Sequence, residues 1–289
     1  MTDRSLEALG LDAVPAEDPL AYPGLPVTEP SLLTGDELLR LDVRPRRLGE
    51  WYVKERRQPL DEVLARLGRA SAGRRHPVLA VGSNASPAQV GHKLTRCGVP
   101  AVVPMVPVRV RGVGVGCSGH ISTAGYVAGA PYAAPGAQAV LVVSWLDPVQ
   151  LAALDGTEFH YARVLLPGAA FAMTMPSGER LSGAYTYVSA HGVLRGPDGT
   201  PRSGGVAQRQ LLAALLAGSA RLRTLLGPDP AAWVERARAD RAVRERGTQI
   251  FGEEGWVRRR TGLAAYADTA AEPRRYDDLP PLGGGSLGM

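Results

Sequence analysis

The segment VLAVGSNASP, residues 78–87, predicts a strand, a tight loop and the start of a helix in immediate succession. The loop is Gly82-Ser83-Asn84-Ala85, and Ser86 is an N-cap followed by proline, with Gln89 completing an S-x-x-Q capping box. A tight loop between a buried strand and a helix directs backbone N–H groups outward, where they bind an anion or a developing oxyanion. An ordinary strand-to-helix turn capped by Ser86 explains the same pattern, and from these residues alone both interpretations stay open.

Outward from this segment, the sequence continues as short strand candidates separated by glycine-containing turns. The candidates are residues 106–110, 121–128, 139–145, 160–166 and 181–189. Only two short helices are predicted among them, one after Ser86 and one after the Asp147-Pro148 start signal. This pattern predicts an α+β fold built on a small closed or strongly curved mixed β-barrel, with flanking N- and C-terminal helices.

Composition and periodicity divide the chain into four predicted parts. Residues 1–75 form an N-terminal arm with short helices, including a helical turn at Asp36–Leu41. A second helix is predicted after Pro59, because Leu60, Val63, Leu64 and Leu67 fall at i, i+3, i+4 and i+7. Residues 76–195 form the barrel domain, and residues 196–271 form a C-terminal helical extension that ends in one helix over 231–246. Residues 272–289, which end in PPLGGGSLGM, are predicted to be disordered.

The composition favours an ordinary globular protein. The chain has 289 residues, of which 45% are hydrophobic and 21% charged, with 35 Gly and 24 Pro, which excludes collagen and wholesale disorder. No apolar run approaches the roughly 18 residues that span a bilayer, since the longest, Ala139–Leu146, has the length of a strand. The N-terminus lacks an apolar stretch typical of a secretory signal, so we predict a cytoplasmic protein without a membrane partner.

Charge and cysteine content predict neither a nucleic-acid partner nor a metal. The net charge of +5 comes almost wholly from arginine, because Lys54 and Lys93 are the only lysines. The arginines are scattered and have little aromatic interleaving, which favours a solvated basic face over nucleic-acid binding. Cys97 and Cys117 form no C-x-x-C pair and the histidines show no metal-ligand spacing, so we predict no metal and no cofactor.

A second segment, LAALDGTEFHYARV at residues 151–164, joins a predicted short helix to a predicted strand. Glu158 stands where the strand begins, so its carboxylate projects toward the predicted barrel mouth. A carboxylate in such a place takes a proton as a general base and returns it as an acid. A surface ion pair between Glu158 and Arg163 is the alternative interpretation.

These two segments occur in a fixed order, with GYVAGAPYAAPG at 125–136 and VSWL at 143–146 between them. In this order they resemble the gamma-glutamylcyclotransferase-like family over residues 76–189. The resemblance implies that Glu158 is the catalytic acid/base. It implies that Gly82, Ser83 and Asn84 line the pocket for the glutamyl group. The implied reaction converts a γ-glutamyl amide to 5-oxoproline and a free amine without a cofactor.

Two residues depart from the pattern of that family. Val81 replaces the aromatic residue that usually precedes G-S-N, and Phe159 replaces the glycine that commonly follows the glutamate. Val81 therefore becomes a candidate substrate contact, together with Tyr126 and Tyr161, and His120 is a further candidate pocket residue. These departures favour a changed substrate. They also keep open a catalytically inactive module of the same fold, which binds a small molecule or a peptide and contacts a protein.

Overall fold

The computed structural model describes residues 3–268, 270 and 272–282. In these residues the strands are β1 Ser31–Thr34, β2 Glu37–Asp42, β3 Tyr52–Val53, β4 Gln58–Pro59, β5 His76–Ala80, β6 Val102–Cys117, β7 Gly129–Leu146, β8 Tyr161–Pro167, β9 Met173–Thr174, β10 Arg180–Leu181, β11 Gly183–Ser189, β12 Val193–Leu194 and β13 Val257–Arg258. The α-helices are α1 Leu60–Arg66, α2 Pro87–Arg96, α3 Pro148–Asp155, α4 Gln208–Gly218, α5 Ala220–Leu226, α6 Pro230–Ala239 and α7 Arg241–Glu253.

Eleven of the described strands form one mixed sheet. Its order is β4-β3-β2-β1-β6-β7-β5-β11-β8, with β9 paired to β6 and β10 paired to β9. The β5–β11 pair is parallel, with Tyr185 opposite Val78, and the other pairs are antiparallel. The long β6–β7 hairpin is the centre of this sheet. β5 pairs with residues 142–146 at the end of β7, and the loop that follows β5 lies close to Gly129, the first residue of β7.

The chain is α+β overall, but the prediction of a small closed or strongly curved barrel is wrong. β4 and β8 lie at opposite ends of the sheet order and do not pair with each other within the described residues. The cause lies in the N-terminal part, where β1 pairs with β6 and extends the sheet outward. Asp36–Leu41 was predicted as a helical turn and instead contributes most of β2, which pairs with β1 across a tight hairpin from Thr34 to Glu37.

The helices after residue 207 form a separate core cluster, which they share with Cys117, Ile121, Val127 and Leu194. Trp233, Leu212 and Phe251 are fully buried there, and the Trp233 indole N–H donates to the Gly125 carbonyl at 3.0 Å. The helix predicted over 231–246 is two helices, because the Asp240 side chain accepts a hydrogen bond from the Ala242 N–H and caps α7. No helix in the described residues is both long and apolar enough to cross a membrane.

Part of the predicted disordered tail packs on the sheet. Tyr276 is buried, its ring meets Trp145 edge-on at 5.7 Å between centroids, and the Arg47 guanidinium lies over its face. Residues 283–289, the rest of that predicted tail, lie outside the described residues. The domain boundaries at residues 75, 195 and 271 remain predictions.

Candidate active site

The loop after β5 contains a short 3₁₀ turn, Ser83–Ala85, which separates the strand from α2. Gly82 is its N-cap and has no side chain to bond the turn, and the N–H groups of Ser83 and Asn84 donate no hydrogen bond to any described residue. Ser86 caps α2 through the Gln89 N–H, as predicted, but the Gln89 side chain does not complete the capping box. The unpaired N–H groups of the loop therefore belong to the 3₁₀ turn and not to α2.

Glu158 lies in the turn between α3 and β8. A capping box between Asp147 and Gln150 fixes the start of α3. Its last residue, Asp155, accepts hydrogen bonds from the Arg163 guanidinium at 2.9 Å and from the Tyr187 hydroxyl at 2.8 Å. These contacts hold both ends of the segment that carries Glu158.

The Glu158 carboxylate meets the loop directly. Its Oε1 accepts hydrogen bonds from the Asn84 amide at 3.0 Å and from the Lys93 ammonium at 2.7 Å, and Lys93 also donates to Asn84 Oδ1 at 2.9 Å. The Glu158 side chain is 11% exposed and that of Lys93 is 15% exposed. The alternative pairing of Glu158 with Arg163 is wrong, because Arg163 pairs with Asp155.

A cavity of about 470 Å³ surrounds this contact. The residues singled out from the sequence all line it: Val81, Gly82, Ser83, Asn84, His120, Tyr126, Glu158 and Tyr161. Phe159 stands at its rim and is 82% exposed. The structure thus brings Asn84 and Glu158, which are 74 residues apart in the chain, to one cavity of a size typical for small-molecule sites.

The tyrosines of the cavity are neutral. Burial, together with the nearby charge of Glu158, raises the pKa of Tyr126 to about 12. Burial also raises the pKa of Tyr161 well above its ordinary value, with smaller contributions from Tyr22 and Glu158. The Tyr161 hydroxyl donates to the Gly129 carbonyl at 3.2 Å. Both side chains are therefore hydrogen-bond donors at neutral pH.

Three histidines cluster at one side of the cavity. The rings of His160 and His191 lie 4.7 and 4.8 Å from that of His120, measured between centroids, and His120 Nδ1 lies 2.6 Å from the Ser118 hydroxyl oxygen. Burial and the two neighbouring imidazoles lower the pKa of His120 to about 3. In residues 3–268, 270 and 272–282, no group of three or more His, Cys, Asp or Glu side chains is arranged to hold a metal ion.

Comparisons with known proteins give one structural similarity. No family model matches the sequence, and no curated protein matches it. A solved structure of a gamma-glutamyl cyclotransferase is 11% identical over 60% of this chain and 98% of that chain, with a TM-score of 0.34. Similarity at this level does not establish a common activity.

The histidine cluster predicts a loss of stability in mild acid. The unfolded chain protonates His120 near its ordinary pKa of 6.5, whereas the folded chain does not until about 3. The unfolded state therefore binds more protons between these values, and the free energy of unfolding falls as the pH decreases through this window. We expect His120 to contribute a loss on the order of 2 kcal/mol between pH 7 and pH 5.

Urea unfolding at both pH values measures this effect. In His120→Gln the loss of stability on acidification is expected to be smaller than in the wild type. If the free energy of unfolding falls equally on acidification in the wild type and in His120→Gln, the His120 imidazole is not held neutral.

Lys93 and Tyr22 are among the cavity residues that were not predicted from the sequence. Lys93 carries a signal that was available, because it is one of two lysines in a chain with 33 basic Lys and Arg residues. Lys93 projects from α2 toward the carboxylate of Glu158, which is 65 residues further along the chain. The sequence does not reveal that these two side chains meet. Tyr22 belongs to the N-terminal arm, and no residue of that arm was predicted to line the cavity.

For the cleavage of a γ-glutamyl amide that we propose for this site, Lys93→Met is expected to lower kcat/KM about 10- to 100-fold. In the wild type the Lys93 ammonium orients Oε1 of Glu158, so that Oε2 stays free for a ligand, and the substitution removes this ammonium group. Lys54→Met removes the only other lysine, which is exposed and outside the cavity, and should leave kcat/KM unchanged. Steady-state kinetics of the two variants decides the point, and equal activities would exclude an orienting role for Lys93.

Proposed function

We propose that this chain is an enzyme that cleaves a γ-glutamyl amide by intramolecular aminolysis, giving 5-oxoproline and a free amine. The observation that carries the proposal is the contact of the Glu158 carboxylate with Asn84 of the Gly82 loop inside one cavity. The sequence resemblance assigns the acid/base role to the same glutamate. Acyl transfer requires an acid/base group and hydrogen-bond donors for the developing oxyanion, and Glu158 lines the same cavity as Ser83 and Asn84, whose N–H groups are unpaired within the described residues.

Glu158 supplies the proton transfers of the proposed reaction. Its Oε1 is held by two donors, whereas its Oε2 makes no hydrogen bond to any described residue. In the first step this carboxylate takes a proton from the α-amino group of the substrate while the amine nitrogen forms a bond to the γ-carbonyl carbon. In the second step the amide C–N bond breaks, and the same carboxyl group returns the proton to the leaving nitrogen. No water is consumed.

The Gly82 loop supplies hydrogen-bond donors for the negative charge that forms during the reaction. Attack on the γ-carbonyl places negative charge on its oxygen, and that charge needs hydrogen-bond donors that are already oriented. The N–H groups of Ser83 and Asn84 are unpaired within the described residues. They are suited to hold either this oxygen or the α-carboxylate of the substrate.

The tyrosines in the cavity lining support an aminolysis in preference to hydrolysis. The cavity walls include Tyr22, Tyr126 and Tyr161, which are largely buried and limit access of water to the bound carbonyl group. Within such a space the α-amine of the substrate is held close to its own γ-carbonyl, so the ring closure gains from proximity.

The test is to incubate the purified full-length chain with a panel of γ-glutamyl amides and to measure 5-oxoproline. The matched control is each substrate with its α-amine acetylated, because a blocked amine cannot attack. We expect 5-oxoproline from the free-amine substrates and no release of amine from the acetylated ones. Binding of several amides without turnover would contradict the proposal and favour the inactive binding module. Amine release from the acetylated substrates would indicate a hydrolase.

A further inference from the structure

The N-terminal arm forms one wall of the cavity. The Ala16 N–H donates to the Gln89 side chain of α2 at 3.0 Å, and the Val27 N–H donates to the Ala85 carbonyl of the loop at 3.2 Å. Between these two attachments the arm carries Tyr22 into the site. The arm is therefore part of the site and not a separate appendage.

Tyr22 is placed by contacts on both sides. Its ring stacks on that of Tyr126, with 4.3 Å between centroids and 25° between planes. Its hydroxyl oxygen accepts a hydrogen bond from the N–H of Gly129, the first residue of β7. It also lies so close to Gly82 that a Cβ at that glycine would collide with it. The hydroxyl group thus lies directly against the start of the loop.

The Tyr22 proton has no acceptor in the described part of the chain. The hydroxyl oxygen accepts from Gly129 but donates to no described residue, although the side chain is only 7% exposed. A buried hydrogen-bond donor without an acceptor lowers the stability of the folded state, so this hydroxyl group indicates that a ligand provides the acceptor. Burial, with a smaller contribution from Tyr126, raises the pKa of Tyr22 well above its ordinary value, so the proton stays on this hydroxyl.

We infer that Tyr22 is a further catalytic residue, whose hydroxyl donates a hydrogen bond to the γ-carbonyl oxygen of the substrate as that oxygen becomes negative. This inference rests on the proposed function and adds a side-chain donor to the backbone donors of the loop. The hydrogen bond from Gly129 polarises the hydroxyl and strengthens it as a donor. Val81, the residue that precedes the loop, has no hydroxyl group that could donate to the carbonyl oxygen. The N-terminal arm supplies such a hydroxyl group through Tyr22. The proton stays on Tyr22 throughout.

The test is the kinetics of Tyr22→Phe in the full-length chain, with a γ-glutamyl amide that the wild type converts. Loss of one oxyanion donor lowers kcat about 10²-fold, and KM should stay within about threefold, because the interaction is made in the transition state. The matched control is Tyr266→Phe, which removes a hydroxyl outside the cavity and should leave both constants unchanged. Replacement of Tyr22 by 3-fluorotyrosine retains ring and hydroxyl and should keep kcat close to that of the wild type.

Each other outcome overturns a defined part of this scheme. A Tyr22→Phe variant with wild-type kcat excludes the donor role and leaves the proposed function intact. A raised KM with unchanged kcat assigns Tyr22 to substrate binding only. Loss of kcat in the 3-fluorotyrosine protein as well attributes the effect to packing. A wild-type chain that releases no 5-oxoproline from any γ-glutamyl amide overturns the proposed function and this inference with it.

Discussion

Glu158→Gln is expected to lower kcat for 5-oxoproline formation about 10³-fold, because general acid–base catalysis contributes about 10²- to 10⁴-fold. The amide retains the size of the side chain and can still bond Asn84, but it cannot take a proton from the amine. Substrate affinity should change less than kcat, since the carboxylate acts on the reacting nitrogen. Initial rates of 5-oxoproline formation, with KM measured in the same experiment, give both quantities.

The matched control is Glu179→Gln. Glu179 is also a largely buried glutamate paired with a cation, Arg47, at 2.9 Å, but it lies outside the cavity. Its replacement removes a buried ion pair without touching the site, so kcat should be retained in the folded protein. If Glu158→Gln turns over substrate at the wild-type rate, another group provides the proton transfers, and the mechanism above is wrong.

Gly129→Ala is expected to have the second largest effect, on both stability and activity. A Cβ at Gly129 would lie 2.8 Å from the Val81 carbonyl oxygen and 3.1 Å from the Tyr22 hydroxyl oxygen. The first of these atoms is backbone, so the end of β5 and the loop must move to admit the methyl group. We expect a loss of about 1–3 kcal/mol in the free energy of unfolding. A loop displaced by about 1 Å should lower kcat/KM about 10²-fold.

Gly136→Ala is the matched control for this substitution. Gly136 belongs to the same strand, β7, and a Cβ there would meet no other atom within 4 Å. Its replacement should leave activity unchanged and stability within about 0.5 kcal/mol of the wild type. Chemical denaturation and steady-state kinetics of both variants make the comparison. A fully active and stable Gly129→Ala protein would show that the loop does not need this close approach.

Local signals in the sequence predicted several elements correctly. Asp147 and Ser86 start α3 and α2 as N-caps followed by proline, because each side chain accepts a hydrogen bond from the N–H three residues further on. The helix after Pro59 follows the i, i+3, i+4 spacing of Leu60, Val63 and Leu64. These interactions lie within a few residues of each other, so a short window of sequence contains all the information they need.

The overall sheet could not be predicted in the same way. Whether a sheet closes depends on which edges pair, and the pairing of β1 with β6 joins residues about 70 positions apart. The segment that forms β2 contains strong helix formers such as Leu38 and Leu39, which favoured a helical turn. Pairing with β1 and burial of those two leucines override that propensity.

The residues of the site likewise differ in whether the sequence could identify them. Glu158 and the Gly82 loop were singled out from the sequence, because each belongs to a recognisable segment. Lys93 was not, since its role depends on the distance of its ammonium to a carboxylate on another segment. Tyr22 was not, because the arm that carries it has no pattern that indicates where it docks. Side chains that act through contacts distant in the sequence are identified only once the chain is folded.

The most direct test of the central claim is to convert a γ-glutamyl amide in water enriched in ¹⁸O and to analyse the acid product by mass spectrometry. Attack by the α-amine under the control of Glu158 predicts 5-oxoproline that contains no ¹⁸O, formed by the wild type and about 10³-fold more slowly by Glu158→Gln. Glutamate carrying one ¹⁸O atom would show that water is the nucleophile and would contradict the account.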